Sequence, residues 1–287
     1  MESIGYQETS ILTVIGILLT GLMLEPLADE ALSPQEKGAE KLAGVPGELP
    51  ARLRWIRVPP DVQVRYDQLL TLKADDKPIL RRYFQSEPKI AMRRGAVWSL
   101  VFLGDESSVN LITNTLGNNT FRPTLDEFDM RGISTMVLGL GFLGRTNDAA
   151  YAFLRQGIDP SFWEGFRKWK RENESDDEVM NARLVAYCVG ALGVTARPEA
   201  KNLIADLQRR KYSTSLPDGQ QWRHYEDICA AIAYYEMQER LGWENFQKRF
   251  FSRNSGLYAE WGQTESGKCH RRWAWQLRGI PLPPELQ

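Results

Sequence analysis

Two histidines and three cysteines in 287 residues leave this chain short of the side chains that most often carry metal and acid–base chemistry. His224 and His270 stand far apart and neither belongs to a His-Glu-x-x-His pattern, which excludes the helical zinc-protease arrangement. Cys188, Cys229 and Cys269 are too widely separated for a zinc knuckle or a redox pair, and the first two sit in apolar runs where a free thiol acts as a small hydrophobe. Thirty-six basic against 37 acidic residues give a net charge of −1, so no whole-molecule field draws nucleic acid or an anionic membrane. Walker loops and nucleophile elbows are also missing. No catalytic residue, metal ligand or cofactor is expected on these grounds.

Long apolar stretches are plentiful, and four of them end in the same dipeptide. Leu-Gly closes them at Gly104, Gly144, Gly193 and Gly242, spaced 40, 49 and 49 residues apart. Aligned on the glycine, Gly95 to Gly104, Thr135 to Gly144 and Leu184 to Gly193 place small and apolar residues in register, and each reads as helix, tight turn, helix. Asp105 and Asn147 are candidate caps for the second helices, and Pro198 suits a first helical turn. Gly139-Leu-Gly-Phe-Leu-Gly144 has the spacing of a dinucleotide fingerprint, but it ends a helical run instead of following a strand, so its glycines read as close packing and a turn. A period of this length means units that bury their apolar faces only against neighbours.

The pattern resembles the HEAT and HEAT-like (armadillo-type) helical repeat family over roughly residues 60 to 250. That resemblance implies an all-α, right-handed α-solenoid of four to five helix pairs, with the four glycines at the turns. The fourth unit, Ile228 to Gly242, takes charged residues before its turn and reads as terminal. Some scaffolds of this kind carry enzymes, with DNA glycosylases and bilin lyases among them. Asp126, Glu127 and Asp129, within one helical turn, are the carboxylates that a concave-face enzyme would use. No motif of those enzymes maps residue by residue here.

The chain divides into four parts. Residues 1–28 hold fourteen uncharged residues from Ile11 to Leu24, short for a spanning helix and without the preceding basic region of a signal peptide. A signal or anchor segment, or a helix capping the open end of the repeats, are the readings left open. Residues 29–50, rich in proline, glycine and mixed charge, read as a flexible linker. Residues 51–250 form the repeat domain, opening with an extended Arg52 to Val58 and a helix pair at 61–72 and 77–85. Within it, a loop is expected at 117–123, and an insertion at 162–178 that carries Trp163 and Trp169 reads as a solvated helix with a charged connection or as a protruding partner-binding element.

Residues 251–287 form an aromatic and basic capping segment. From Lys248 to Arg278 there are seven lysines and arginines against two glutamates, interleaved with six aromatics. Arginine and tryptophan are the anchors favoured at protein interfaces. Arg271, Arg272, Trp273, Trp275 and Arg278, with Trp163 and Trp169, are therefore the expected partner-binding residues. The expected function is a non-enzymatic protein–protein scaffold, exported or held at a membrane through its N-terminal segment, with cytoplasmic placement as the alternative. Its partner is a protein, and nucleic acid is disfavoured.

Overall fold

The computed structural model describes residues 49–57, 64–117, 124–125, 127–165, 170–171, 177–216, 218–252 and 256–287. The apolar run at 11–24, the linker through residue 48 and the loop at 118–123 lie outside them. The described chain is all-α. Its helices are α1 (Tyr66–Leu69), α2 (Lys77–Ser86), α3 (Arg94–Phe102), α4 (Ser107–Gly117), α5 (Glu127–Gly144), α6 (Asp148–Gln156), α7 (Asp177–Thr195), α8 (Pro198–Arg209), α9 (Tyr225–Leu241), α10 (Trp243–Phe250), α11 (Leu257–Trp261) and α12 (Glu265–Arg278). Strand is limited to a short parallel pairing of β1 (Thr124–Leu125) with β2 (Lys170–Arg171) and an antiparallel hairpin of β3 (Ser213–Ser215) and β4 (Gln221–Arg223).

Helices α3/α4, α5/α6, α7/α8 and α9/α10 are the four pairs that the Leu-Gly spacing marks. Asn147 caps α6, its Oδ1 accepting the Ala150 N–H at 3.0 Å, and Pro198 opens α8 where a missing N–H costs nothing. Asp105 stands two residues before α4. Its carboxylate accepts from the Ser107 and Ser108 hydroxyls and, at 2.7 Å, from Arg81 Nε, so it ties α2 to the start of the first pair. Arg52 and Asp76 repeat that tie one step earlier, across the same separation of 24 residues.

The four glycines divide into two roles. Gly104 and Gly242 take the turns, with φ of +59° and +74°, where a Cβ would be strained. Gly144 is the last residue of α5, and Gly193 lies inside α7, whose turn falls on Ala196 at φ +48°. Close helix crossing explains the difference: a Cβ on Gly193 would stand 2.5 Å from Ala231 Cα in α9, and one on Gly141 would stand 2.6 Å from the Ala191 carbonyl in α7. Gly193 was expected at a turn; it is a contact surface instead.

Two other expectations change. Residues 51–56 form a 3₁₀ helix, not an extended strand, and its three-residue period turns Leu53 and Ile56 together into the core. The helix expected over 61–72 is reduced to the single turn of α1, of which 61–63 lie outside the described residues.

The first helices of the pairs pack in chain order, α3 on α5, α5 on α7 and α7 on α9. Each sector of α5 has its own neighbour. Gly139 meets Val97 and Val101 of α3, Gly141 and Gly144 meet α7, and Phe142 meets α10. Ile133, Met136 and Leu140, fully buried, lie on the side of α5 away from Phe142, and α6 and α4 also pack on α5. The second helices α4 and α6 touch each other, α6 also touches α7, and α8 packs on α7 and α9. Helix α10 breaks this rule by lying on the other side of the row.

Candidate interaction surfaces

The break comes from aromatic residues spaced to occupy one helix face. Trp243, Phe246 and Phe250 stand at i, i+3 and i+7, and Phe251 adjoins them. Phe250 lies 5.6 Å from Trp98 of α3, 4.9 Å from Phe142 of α5 and 6.1 Å from Tyr234 of α9, centroid to centroid. One ring therefore reaches the first, second and fourth members of the row, so the row is concave on this side and curls around α10. Phe246, Phe250 and Phe251 are buried, and removing each large apolar side chain from water contributes about 1.5–3 kcal/mol.

Polar contacts close the rim of the groove. The Arg145 guanidinium stands 4.5 Å over the Trp243 ring and donates to Gln238 Oε1 at 3.1 Å, while Gln238 Nε2 donates to the Val194 carbonyl at 2.9 Å. The C-terminal ends of α5, α7 and α9 are thus joined at one point. On the outward face of α10, Arg249 Nη2 meets Glu260 Oε2 at 3.4 Å, and Arg240 shares that carboxylate. Burial pushes the Tyr234 hydroxyl up to about 12, and that hydroxyl has no hydrogen-bond partner among the described residues.

Of the three carboxylates expected on a concave face, one is described. Asp126 and the Glu127 side chain lie outside the described residues, and Asp129 is 1% exposed. Among the described residues no three His, Cys, Asp or Glu side chains gather as a metal-ligand set.

One polar constellation was only half legible in the sequence. His224, wholly buried in front of α9, holds Asp227 Oδ2 at 3.2 Å through Nδ1 and Thr214 Oγ1 at 3.2 Å through Nε2. A carboxylate only accepts, so in the neutral ring Nδ1 donates to Asp227 and Nε2 accepts the Thr214 hydroxyl. This is the polarity of a hydroxyl–imidazole–carboxylate relay. All three residues are buried and Tyr212 stacks on the ring at 5.2 Å, so the relay ties the β3–β4 hairpin to α9. Asp227 stands three residues after His224, within one helical turn, whereas Thr214 arrives through hairpin pairing, for which the sequence carries no local sign.

The C-terminal residues expected to meet a partner largely meet their own chain. Arg278 Nη1 donates to Glu226 Oε1 at 3.1 Å, Arg272 Nε to the Leu286 carbonyl at 2.8 Å, and Arg271 stands 3.8 Å from Glu285. Glu226 also accepts from the Tyr258 hydroxyl at 3.3 Å; burial raises its pKa, opposed by the Arg278 charge and by hydrogen bonds from Arg278 and Tyr258. Trp273 packs on Tyr225, while Trp275 is half-buried. The stripe of α12 turned to solvent runs through Glu265, Cys269 and Gln276, with Arg272 and Trp275 at its margin.

Trp163 is a correction: it is 1% exposed, donates Nε1 to the Gly157 carbonyl at 2.8 Å and packs edge-on to Phe153 and Phe162. Its size and its N–H partner make it a core anchor of the loop after α6 instead of a contact residue. Trp169 lies outside the described residues. Cys188 and Cys229 are buried with burial raising both thiol pKa values, while Cys269 is exposed. No helix among the described residues is long and apolar enough to cross a membrane.

In comparisons with protein-family models, curated proteins and solved structures, none matched the chain.

Proposed function

We propose that this protein is a non-enzymatic protein–protein interaction scaffold, built as a HEAT-like right-handed solenoid of four helix pairs and delivered to or across a membrane by residues 1–28. The observation that carries the reading is the row α3, α5, α7 and α9, stacked in chain order through glycine-mediated crossings and curved toward one side. Repeated units packed in this way hold a shaped surface rigid, and a rigid surface is what a scaffold supplies. The solvent stripe of α12, with Arg272, Trp275 and Cys269, is the contact surface this reading favours, because it offers a tryptophan and an arginine at the end of the stack.

The test is affinity capture with the full chain, followed by the same capture with Trp275→Ala and Arg272→Ala. The reading expects one stoichiometric protein partner, retained by the native chain and lost by the double variant at unchanged helical content. Turnover of a small substrate, abolished by a single carboxylate substitution without loss of fold, contradicts it. Mass spectrometry of the mature N-terminus in separated membrane and soluble fractions tests delivery. An intact N-terminus in the soluble fraction contradicts that part.

A further inference from the structure

Helices α6 and α8 each pack on the first helix of their own pair and α4 packs on α5 and α6, whereas α10 crosses to the concave side and α11 and α12 pack beside α9 in addition. Helix α10 is bounded by glycines of positive φ, Gly242 at +74° before it and Gly256 at +34° ahead of α11. Its inward face is aromatic and its outward face is polar, tied to the rest of the chain through Glu260. The groove it fills is walled by Trp98, Phe142 and Tyr234, from three different helices. This is how one protein receives an amphipathic helix from another: large anchors at i, i+3 and i+7 laid into an apolar trough.

We propose that the trough between α3, α5 and α9 is a helix-binding site, that α10 is its built-in occupant, and that the partner presents an amphipathic helix with aromatic anchors at i, i+3 and i+7. The inference rests on the scaffold reading and names the class of partner. The kind of partner follows from α10 itself, which displays the side chains that the trough accepts. The Tyr234 hydroxyl adds a second sign, since it is buried at the trough wall and α10 supplies it no hydrogen bond. A partner helix with an acceptor at that level makes a bond that the resident helix does not. In the resting molecule α10 keeps the trough closed, and binding requires α10 to leave it.

Hydrogen exchange on the full chain tests the opening. Amides of 243–252 are expected to exchange by a local route at least tenfold faster than those of α5 and α7, and Glu260→Ala is expected to raise that rate several-fold while leaving α5 and α7 unchanged. A fluorescein-labelled peptide with the sequence of residues 242–252 is the binding probe. It is expected to bind Phe246→Ala/Phe250→Ala saturably, to bind the native chain at least tenfold more weakly, and to lose affinity when Trp98→Ala is added. Where the double variant does not fold, Glu260→Ala takes its place and is expected to bind the peptide more tightly than the native chain. Exchange of 243–252 only through global unfolding, in both the native chain and Glu260→Ala, overturns the proposal, as does absence of peptide binding by a folded variant. Either result leaves partner capture through α12 untouched, so the scaffold reading stands or falls separately.

Discussion

Phe250 and Phe142 meet edge-to-face with 4.9 Å between ring centroids, joining the last helix of the fourth pair to the first helix of the second. That contact turns a row of helices into a closed trough, because α10 would otherwise lie behind α9 as α8 lies behind α7.

Two glycines of α7 separate packing from propensity. A Cβ on Gly193 would press into the Ala231 backbone, whereas one on Gly190 would meet nothing within 4 Å. Gly193→Ala is expected to lower stability by about 1–3 kcal/mol through overpacking. Gly190→Ala is expected to be neutral or to raise stability by up to about 1 kcal/mol through helix propensity. Urea unfolding of the two variants beside the parent checks both, and equal effects would place the α7–α9 crossing elsewhere.

Ala196 carries the α7–α8 turn at φ +48°, a conformation disfavoured for a residue with a Cβ by roughly 1–2 kcal/mol. Ala196→Gly is therefore expected to stabilise the chain by up to about 1 kcal/mol once the added freedom of glycine in the unfolded state is counted. A lowered midpoint in thermal unfolding would mean that the turn is not left-handed.

The thiols differ by environment. Cys269 is exposed on α12, whereas burial pushes the Cys188 and Cys229 thiols up and shields them. Titration with a chromogenic disulfide reagent is expected to modify one thiol in the native chain and three in denaturant. Fast reaction of a second thiol without denaturant would contradict the buried placement of α7 and α9.

Two carboxyls should make stability depend on pH in opposite senses. Burial pushes the Asp105 carboxyl up, but hydrogen bonds from Arg81, Ser108 and Ser107 outweigh it and leave the pKa lowered. A lowered carboxylate contributes stability above its unfolded value of about 3.9, and that contribution disappears as pH falls through the folded value. Glu226 runs the other way. Its raised pKa contributes stability that is complete below the unfolded value of about 4.3 and is lost as pH rises through the folded value. Asp105→Asn is expected to flatten the acid limb of a stability–pH curve, and Glu226→Gln the limb above pH 4.3; unchanged limbs would remove these two carboxyls from the account.

Helix pairing was legible because it is local. Apolar runs, Leu-Gly endings, Asn147 and Pro198 each act within a few residues of where they stand. What escaped was long-range. Gly193 and Gly104 look alike in sequence, and only the arrival of Ala231 makes the first a contact and the second a turn. Arg278 and Arg272 were expected to face a partner because arginine is a favoured interface anchor, yet Glu226 and the Leu286 carbonyl reach them through the packing of α12 on α9 and the return of the C-terminus. Trp243, Phe246 and Phe250 stand at i, i+3 and i+7 in the sequence, but nothing local marks the trough that receives them.

A double-mutant cycle between Phe142 and Phe250 tests the closed trough most directly. Phe142→Leu, Phe250→Leu and the pair together, unfolded in urea, give the coupling free energy between the two positions. Contact at 4.9 Å predicts a coupling of about 0.5–1.5 kcal/mol, whereas additive effects within about 0.3 kcal/mol would contradict it and take α10 out of the trough.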